Sequence, residues 1–267
     1  MARGFESHSL HHFLCAPFCL TRLKRLLMTS HDSSPAHERL IFALDVTDYA
    51  AAFELIEQLD ETVAFYKIGL ELLMSGDYFR VLDLLKSRGK RIFVDLKFFD
   101  VPATVAAAVR QLARWDVDFA TIHGQDGMLK AAAQVKGATR ILGVTALTSL
   151  DQGDLQRLGF QCDIQALVLS RARAVLEAGC DGVISSGLEV AALRREVDAR
   201  LLVVCPGIRP VANDDDQKRT VDVASAFKSG ADFIVVGRPI RDALDRPRAA
   251  ANIQTTIAQA FAAAGSP

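Results

Sequence analysis

The chain has 267 residues, of which 50% are hydrophobic and 24% are charged, a balance typical of soluble globular enzymes. Its 31 Lys and Arg residues nearly match its 32 Asp and Glu residues, so the formal net charge is −1. This balance gives no reason to expect binding to nucleic acid or to a membrane, and an anionic substrate would need a local basic site.

The positions of histidine and cysteine exclude several kinds of site. Only His123 lies beyond residue 37, so a multi-histidine metal site or a nucleophile–histidine–acid triad lacks its parts. The five cysteines form no C-x-x-C pair, and their odd number argues against a disulfide framework. Reduced thiols are typical of a cytoplasmic protein, which is the location we expect.

Residues 1–37 differ in character from the rest of the chain. The basic residues Arg22, Lys24 and Arg25 follow the apolar stretch Phe13–Leu20, whereas a signal peptide has its basic residues first. We therefore expect residues 1–37 to be a poorly ordered extension, with Met28 as an alternative start, and residues 38–267 to form one domain. A targeting role for the extension is the alternative.

From Arg39 onward, short apolar runs alternate with helical stretches such as Val101–Trp115, Ile164–Ala178 and Val221–Ser229. Within each run the residues are apolar throughout, rather than apolar and polar in turn, which indicates parallel strands buried on both faces. Eight such units in about 225 residues favour an α/β fold, a closed (β/α)8 TIM barrel, over an open doubly wound sheet. The turn after the first run, Asp45–Asp48, also lacks the G-x-G-x-x-G of a dinucleotide site. The expected strands are Leu40–Leu44, Val63–Ile68, Arg91–Leu96, Phe119–His123, Ile141–Thr145, Gly182–Ser185, Leu201–Cys205 and Phe233–Val236, and Gly89, Gly179 and Gly230 lie where helices should end.

Charged residues gather where the first three strands end, which in a barrel is the catalytic rim. Asp95 and Lys97 are two residues apart on the third strand, so both side chains should point to one face, with roughly 6–7 Å between their Cα atoms. Asp45 and Lys67 converge on the same rim from the first two strands. An internal ion pair that only stabilises the barrel is the alternative, but the convergence of four charges favours a functional site.

The eighth strand leads into Gly237–Arg238, a pairing suited to phosphate because glycine exposes backbone N–H groups and arginine offers a forked set of donors. A surface arginine beside a turn glycine is the alternative. The polar segment Asn213–Gln217 after the seventh strand is either a lid or a solvated turn. His123 is more typical of a structural histidine, and Cys205, with no evident base beside it, of a packed thiol.

Five motifs in this order resemble those of bacterial orotidine 5′-phosphate decarboxylases. The most specific is FVDLKFFDVPAT at residues 93–104, which matches the family's D-x-K-x-x-D-[IV]-P-x-T block. Within it, Phe99 fills a position of His or Phe, and Ala103 stands where Asn is commoner; neither position carries a charge. The resemblance runs from Leu40–Asp45 to Gly237–Arg238, essentially the whole domain. The other four motifs are Tyr66–Gly69, Val144–Ser149, Pro206–Pro210 and Val236–Ile240.

The resemblance implies decarboxylation of orotidine 5′-monophosphate to uridine 5′-monophosphate, the last step of the de novo synthesis of uridine 5′-monophosphate. It also implies that the reaction uses neither a metal nor an organic cofactor. Lys97 would give a proton to C6 of the pyrimidine, with Asp95 facing the substrate carboxylate. Asp100 and Thr104 would reach into the neighbouring site of a homodimer, where Asp100 completes a network with Lys67, Asp95 and Lys97. The remaining expected contacts are Asp45 and Lys67 to ribose hydroxyls, Thr148 to the pyrimidine edge, Gln217, Gly237 and Arg238 to phosphate, and Arg209 as a support for the closing loop.

Two other functions stay open on the sequence. Mg²⁺-dependent sugar-phosphate decarboxylases and hexulose-phosphate synthases share the D-x-K-x-x-D block, but they place an acid on the second strand where this chain has Lys67. A nucleotide-binding barrel without catalysis is the second alternative, because fold alone does not establish activity.

Overall fold

The computed structural model describes residues 33–123, 125–208 and 219–265. Eight parallel strands close into a barrel in chain order, with the first strand paired to the eighth. The predicted (β/α)8 barrel is confirmed. The strands are β1 Leu40–Ala43, β2 Phe65–Gly69, β3 Arg91–Phe98, β4 Phe119–His123, β5 Arg140–Val144, β6 Gly182–Ile184, β7 Leu202–Cys205 and β8 Phe233–Val236.

Helices follow the strands around the outside of the barrel. Several begin at an aspartate whose side chain accepts a backbone N–H of the first turn, among them Asp48, Asp163 and Asp222. The predicted helix ends at Gly89, Gly179 and Gly230 are confirmed, and each of these glycines has a positive φ. The helices are α1 Tyr49–Leu59, α2 Leu70–Ser75, α3 Tyr78–Ser87, α4 Pro102–Ala113, α5 Asp126–Ala133, α6 Gln152–Arg157, α7 Ile164–Glu177, α8 Val190–Glu196, α9 Val223–Lys228, α10 Arg238–Arg241 and α11 Arg246–Gly265, and a 3₁₀ turn, Ala36–Glu38, precedes β1.

The apolar runs are continuous because alternate residues of each strand face two different cores. One core lies between the barrel and its helices, and the other fills the barrel interior. The interior core is largely aromatic: the ring centroids of Phe65 and Phe119 are 5.0 Å apart, and those of Phe119 and Phe233 are 5.2 Å apart. The lower half of the barrel is therefore packed with side chains.

Arginines cover this aromatic core at the N-terminal end of the strands. The guanidinium of Arg91 lies 4.3 Å from the ring centroid of Phe65, and that of Arg140 lies 4.5 Å from the ring centroid of Phe119. Arg91 also forms ion pairs of 2.8 Å with Glu38 and 2.9 Å with Asp118. The barrel is thus closed at this end, and the opposite end is left for a cavity.

None of the helices within the described residues has both the length and the apolar character needed to cross a membrane.

Candidate active site

A cavity of about 440 Å³ opens at the C-terminal ends of the strands. Residues from seven of the eight strands, or from the loops directly after them, contribute to its wall, so the closed barrel brings together segments distant in sequence. Seven residues predicted from the sequence to form the site line this cavity together: Asp45, Lys67, Asp95, Lys97, Thr148, Gly237 and Arg238.

Four of these residues form a chain of alternating charge. The ammonium of Lys67 lies 2.9 Å from a carboxylate oxygen of Asp45 and 3.6 Å from one of Asp95. On the other side of Asp95, the ammonium of Lys97 lies 3.0 Å from its carboxylate. The predicted convergence of acids and bases on one rim is present in the structure.

The neighbours of the buried charges decide their protonation. Burial by itself would raise the pKa of Asp95, but the charges of Lys67 and Lys97, with hydrogen bonds from Lys97 and Thr121, bring it below its ordinary value. Burial by itself would lower the pKa of Lys67, but Asp95 and Asp45 raise it above its ordinary value. Both groups are therefore ionised at neutral pH.

The backbone at Lys97 differs from the regular strand expected from the sequence. The pairing of β3 with β4 shifts register between Val94 and Phe98, and Lys97 adopts a left-handed conformation with φ 48°. A residue other than glycine held in this region costs on the order of 1–3 kcal/mol and is maintained only by its surroundings. The side chains of Asp95 and Lys97 meet as predicted, but they do so across a bulge rather than along an unbroken strand.

Thr121, which sequence reasoning missed, holds this bulge in place. It is fully buried on β4, its hydroxyl oxygen accepts the backbone N–H of Lys97 at 2.9 Å, and its O–H donates to a carboxylate oxygen of Asp95 at 2.9 Å. One side chain thus fixes both the strained backbone and the carboxylate. A signal was present, because a hydroxyl in the middle of a buried apolar strand needs a hydrogen-bond partner.

Arg241 is a second residue that was not predicted. It lines the cavity together with Arg238, three residues earlier on α10, and its guanidinium donates to the backbone carbonyl of Asp45 at 3.0 Å. This bond ties the segment after β8 to the end of β1. Gly237, just before α10, lies close to β1, because a Cβ added to it would be 3.3 Å from the Cβ of Ala43. Both Gly237 and Arg238 line the cavity, so a glycine and a guanidinium lie side by side in its wall.

The remaining predicted site residues lie elsewhere. Asp100 and Thr104 are exposed on the segment after β3, and neither lines the cavity among the described residues. Arg209 and Gln217, with the whole of Asn213–Gln217, lie outside the described residues.

His123 and Cys205 have the surroundings of structural residues. The ring of His123 packs edge-on against Phe99 with a centroid distance of 5.2 Å, and burial, then Arg171 and Lys97, lowers its pKa, so it is neutral at pH 7. Burial raises the pKa of the Cys205 thiol well above its ordinary value, which keeps it protonated.

The model of the family described as Orotidine 5'-phosphate decarboxylase / HUMPS family matches residues 38–253 of the chain. The chain belongs to this family. A relative from Methylococcus capsulatus named orotidine 5'-phosphate decarboxylase is 60% identical over 236 residues, covering 88% of this chain and 98% of the relative. Another of that name from Xanthomonas oryzae pv. oryzae is 55% identical over 227 residues, 83% of this chain and 93% of the relative.

A solved structure shows the same family and fold. The crystal structure of orotidine 5'-phosphate decarboxylase from Lactobacillus acidophilus has a TM-score of 0.72 at 31% identity, covering 82% of this chain and 99% of that one. The family resemblance found in the five motifs is thereby confirmed.

Replacing Thr121 with Val should lower the free energy of unfolding by about 1–3 kcal/mol, because the isosteric side chain leaves the Lys97 N–H unpaired and removes a donor from Asp95. Thr121→Ser, which keeps the hydroxyl, should stay close to the parent protein. Urea denaturation followed by fluorescence measures both. Thr255→Val on the exposed face of α11 is the matched control, and an equal loss in the two valine variants would contradict the role of Thr121.

Proposed function

We propose that this member of the family decarboxylates orotidine 5′-monophosphate to uridine 5′-monophosphate. The observation that carries the proposal is the alternating series Asp45–Lys67–Asp95–Lys97 along one wall of the cavity. Relatives that are 60% and 55% identical bear the name of this activity, and they match this chain over nearly their whole length.

The cavity has the chemistry that a nucleoside monophosphate requires. Gly237 and Arg238, which line the cavity, would supply donors for the phosphate. Asp45 and Lys67 would bind ribose hydroxyls, and Thr148 would bind the pyrimidine edge, from the loop after β5. Arg209 and Gln217 are proposed to support the closing loop and to bind the phosphate, respectively. The volume of about 440 Å³ is within the range of small-ligand sites.

In this arrangement the substrate carboxylate lies beside Asp95, and contacts to phosphate and ribose supply the binding energy that holds it there. Two carboxylates repel each other in a closed pocket of low dielectric constant, and loss of CO2 relieves that repulsion. The C6–carboxylate bond breaks, and its electron pair stays on C6. The ammonium of Lys97 stabilises this carbanion, gives its proton to C6, and is reprotonated from solvent.

Lys67 favours this reaction over the metal-dependent alternative. Its ammonium lies 3.6 Å from Asp95, so a cation of the protein already faces the carboxylate that would hold a magnesium ion in the sugar-phosphate enzymes. A fixed ammonium at this position would repel the metal. The proposed reaction therefore uses no magnesium ion at this place.

Purified protein should convert orotidine 5′-monophosphate to uridine 5′-monophosphate in excess EDTA, because every charge in the proposed mechanism comes from a side chain. Loss of absorbance near the orotate band measures the reaction, and chromatography identifies the product. Activity that requires added Mg²⁺ would favour the sugar-phosphate alternative. Binding of uridine 5′-monophosphate by protein with no turnover would favour the barrel without catalysis.

Lys97→Ala should abolish turnover, because the proton donor to C6 is removed. Binding of uridine 5′-monophosphate should stay largely intact, because the contacts proposed for its phosphate, ribose and pyrimidine edge come from other residues. Turnover is followed by absorbance, and the product's dissociation constant by titration calorimetry. Lys130→Ala, on the exposed face of α5, is the control and should behave as the parent protein. Near-normal turnover by Lys97→Ala would eliminate the proposed role.

A homodimer would bring Asp100 and Thr104 to a cavity. Both residues are exposed beside Phe99 and Val101, whose exposed fractions are 61% and 62%, large values for apolar side chains. Leu70 and Met74 on α2, after the neighbouring strand β2, add further apolar surface at 56% and 82% exposure. We propose that a second copy of the chain covers this surface and receives Asp100 and Thr104 in its own site.

Complementation tests this arrangement. Lys97→Ala and Asp100→Asn homodimers should each be nearly inactive, but a mixture allowed to exchange subunits should regain about a quarter of parental activity, because each mixed dimer contains one intact site. The mixture is assayed after mild denaturation and renaturation. Two Lys97→Ala preparations treated in the same way are the control, and a mixture that remains as inactive as that control would refute the shared site.

We also propose that the protein acts in the cytoplasm. Cys162, Cys180 and Cys205 are free thiols in the structure, a state typical of reducing compartments.

A further inference from the structure

A buried ion pair lies close to the cavity but has no part in the proposed mechanism. Arg219 follows β7 in the chain, Glu189 immediately precedes α8, and their side chains meet at 2.7 Å with 9% of each exposed. The described residues that line the cavity include neither of the two. A buried pair of this kind adds little net stability, because the cost of removing both charges from water offsets their attraction.

The guanidinium of Arg219 has a second set of partners in the cavity wall. One of its nitrogens donates to the backbone carbonyls of Ala146 and Leu147, at 3.1 Å and 3.0 Å. Both residues line the cavity and are followed directly by Thr148. This stretch lies between β5 and α6, outside any helix or strand, so side-chain donors such as Arg219 determine where its carbonyls lie.

The position of Arg219 is itself fixed from two directions. Its backbone carbonyl accepts a hydrogen bond of 3.3 Å from the hydroxyl of Ser186, in the loop after β6. Two residues later, Val221 forms a parallel bridge with Ile208 at the end of β7. The packing is close, because a Cβ added to Gly187 would lie 2.3 Å from a methyl carbon of Val221. The ends of β6 and β7 thus hold a guanidinium that supports the loop after β5.

We propose that Arg219 and Glu189 are a positioning pair, which holds Ala146 and Leu147 so that Thr148 meets the pyrimidine edge of the substrate. Glu189 orients the guanidinium and balances its charge, and Arg219 transmits that orientation to the two carbonyls. The pair acts on substrate recognition through Thr148 and touches neither the substrate nor the reacting atoms. This proposal rests on the contact proposed above for Thr148.

Arg219→Met removes the donors and keeps an unbranched side chain. We expect the KM for orotidine 5′-monophosphate and the dissociation constant of uridine 5′-monophosphate to rise by about 10- to 100-fold. The kcat should change little, because the lost contact is equally strong in the ground state and in the transition state. Steady-state kinetics and titration calorimetry measure the two constants.

The matched control is a second buried arginine–carboxylate pair, Arg194 and Asp232. Their side chains meet at 2.7 Å with 7% and 2% exposed, and Asp232 lies just before β8, at the closed end of the barrel. Arg194→Met should lower the melting temperature and leave both constants unchanged. Equal changes in KM for the two methionine variants would mean that any buried ion pair matters through stability alone, and would overturn the proposal.

A double-mutant cycle separates positioning from a general structural effect. If Arg219 acts through Thr148, the rise in KM caused by Arg219→Met should largely disappear in a Thr148→Ala background. An undiminished rise in that background would overturn the proposal. If Thr148→Ala alone leaves KM unchanged, the proposed contact between Thr148 and the substrate is refuted, and so is the positioning role. Turnover by the parent protein tests the proposed reaction separately.

A second variant covers the case in which Arg219→Met does not fold. Glu189→Gln keeps an oxygen acceptor for Arg219 but removes the charge that orients it. Its KM should rise less than that of Arg219→Met, and the rise should again be lost in the Thr148→Ala background. A Glu189→Gln protein with parental constants would overturn the part assigned to Glu189.

Discussion

The carboxylate of Asp95, largely buried between two ammonium groups, is the constraint on which the rest of the site depends. A carboxylate in this position is stable as an anion only because Lys67 and Lys97 flank it and Thr121 donates to it. The same arrangement leaves a negative charge beside the place proposed for the substrate carboxylate. The Asp95 carboxylate therefore both holds the lysines together by its ion pairs and repels the substrate carboxylate in the proposed complex.

The closed barrel places the residues that surround the Asp95 carboxylate. Four strands or strand ends contribute Asp45, Lys67, Asp95 with Lys97, and Thr121, and only a closed sheet brings β1 to β4 into the curvature that makes these side chains converge. The left-handed backbone at Lys97 shows that the strand deviates from regular geometry to achieve the contact. Its cost falls within the range that the hydrogen bonds of Thr121 can offset.

Much of the fold and part of the site could be predicted from the sequence, because they depend on local patterns. Continuous apolar runs identified all eight strands, and the rule that barrel sites lie at strand ends selected Asp45, Lys67, Asp95 and Lys97. The bulge at Lys97 could not be predicted, since a shift of register depends on the neighbouring strand. Some contacts join residues far apart in the chain, such as Arg241 with Asp45 and Arg219 with Glu189 and Ala146. Such pairs cannot be predicted from the local patterns of a single sequence.

The aromatic core and its covering arginines affect how molecules enter and leave. Phe65, Phe119 and Phe233 fill the lower barrel, with Arg91 and Arg140 across its base, so the described residues leave no passage along the barrel axis. Substrate and products must therefore enter and leave through the opening at the C-terminal ends of the strands. For the proposed reaction, CO2 must escape past the nucleotide or wait until the nucleotide departs, and an incoming substrate must find that mouth empty. The packed N-terminal half of the barrel thus requires the products to leave before the next substrate enters, although the proposed chemistry takes place at the C-terminal ends of the strands.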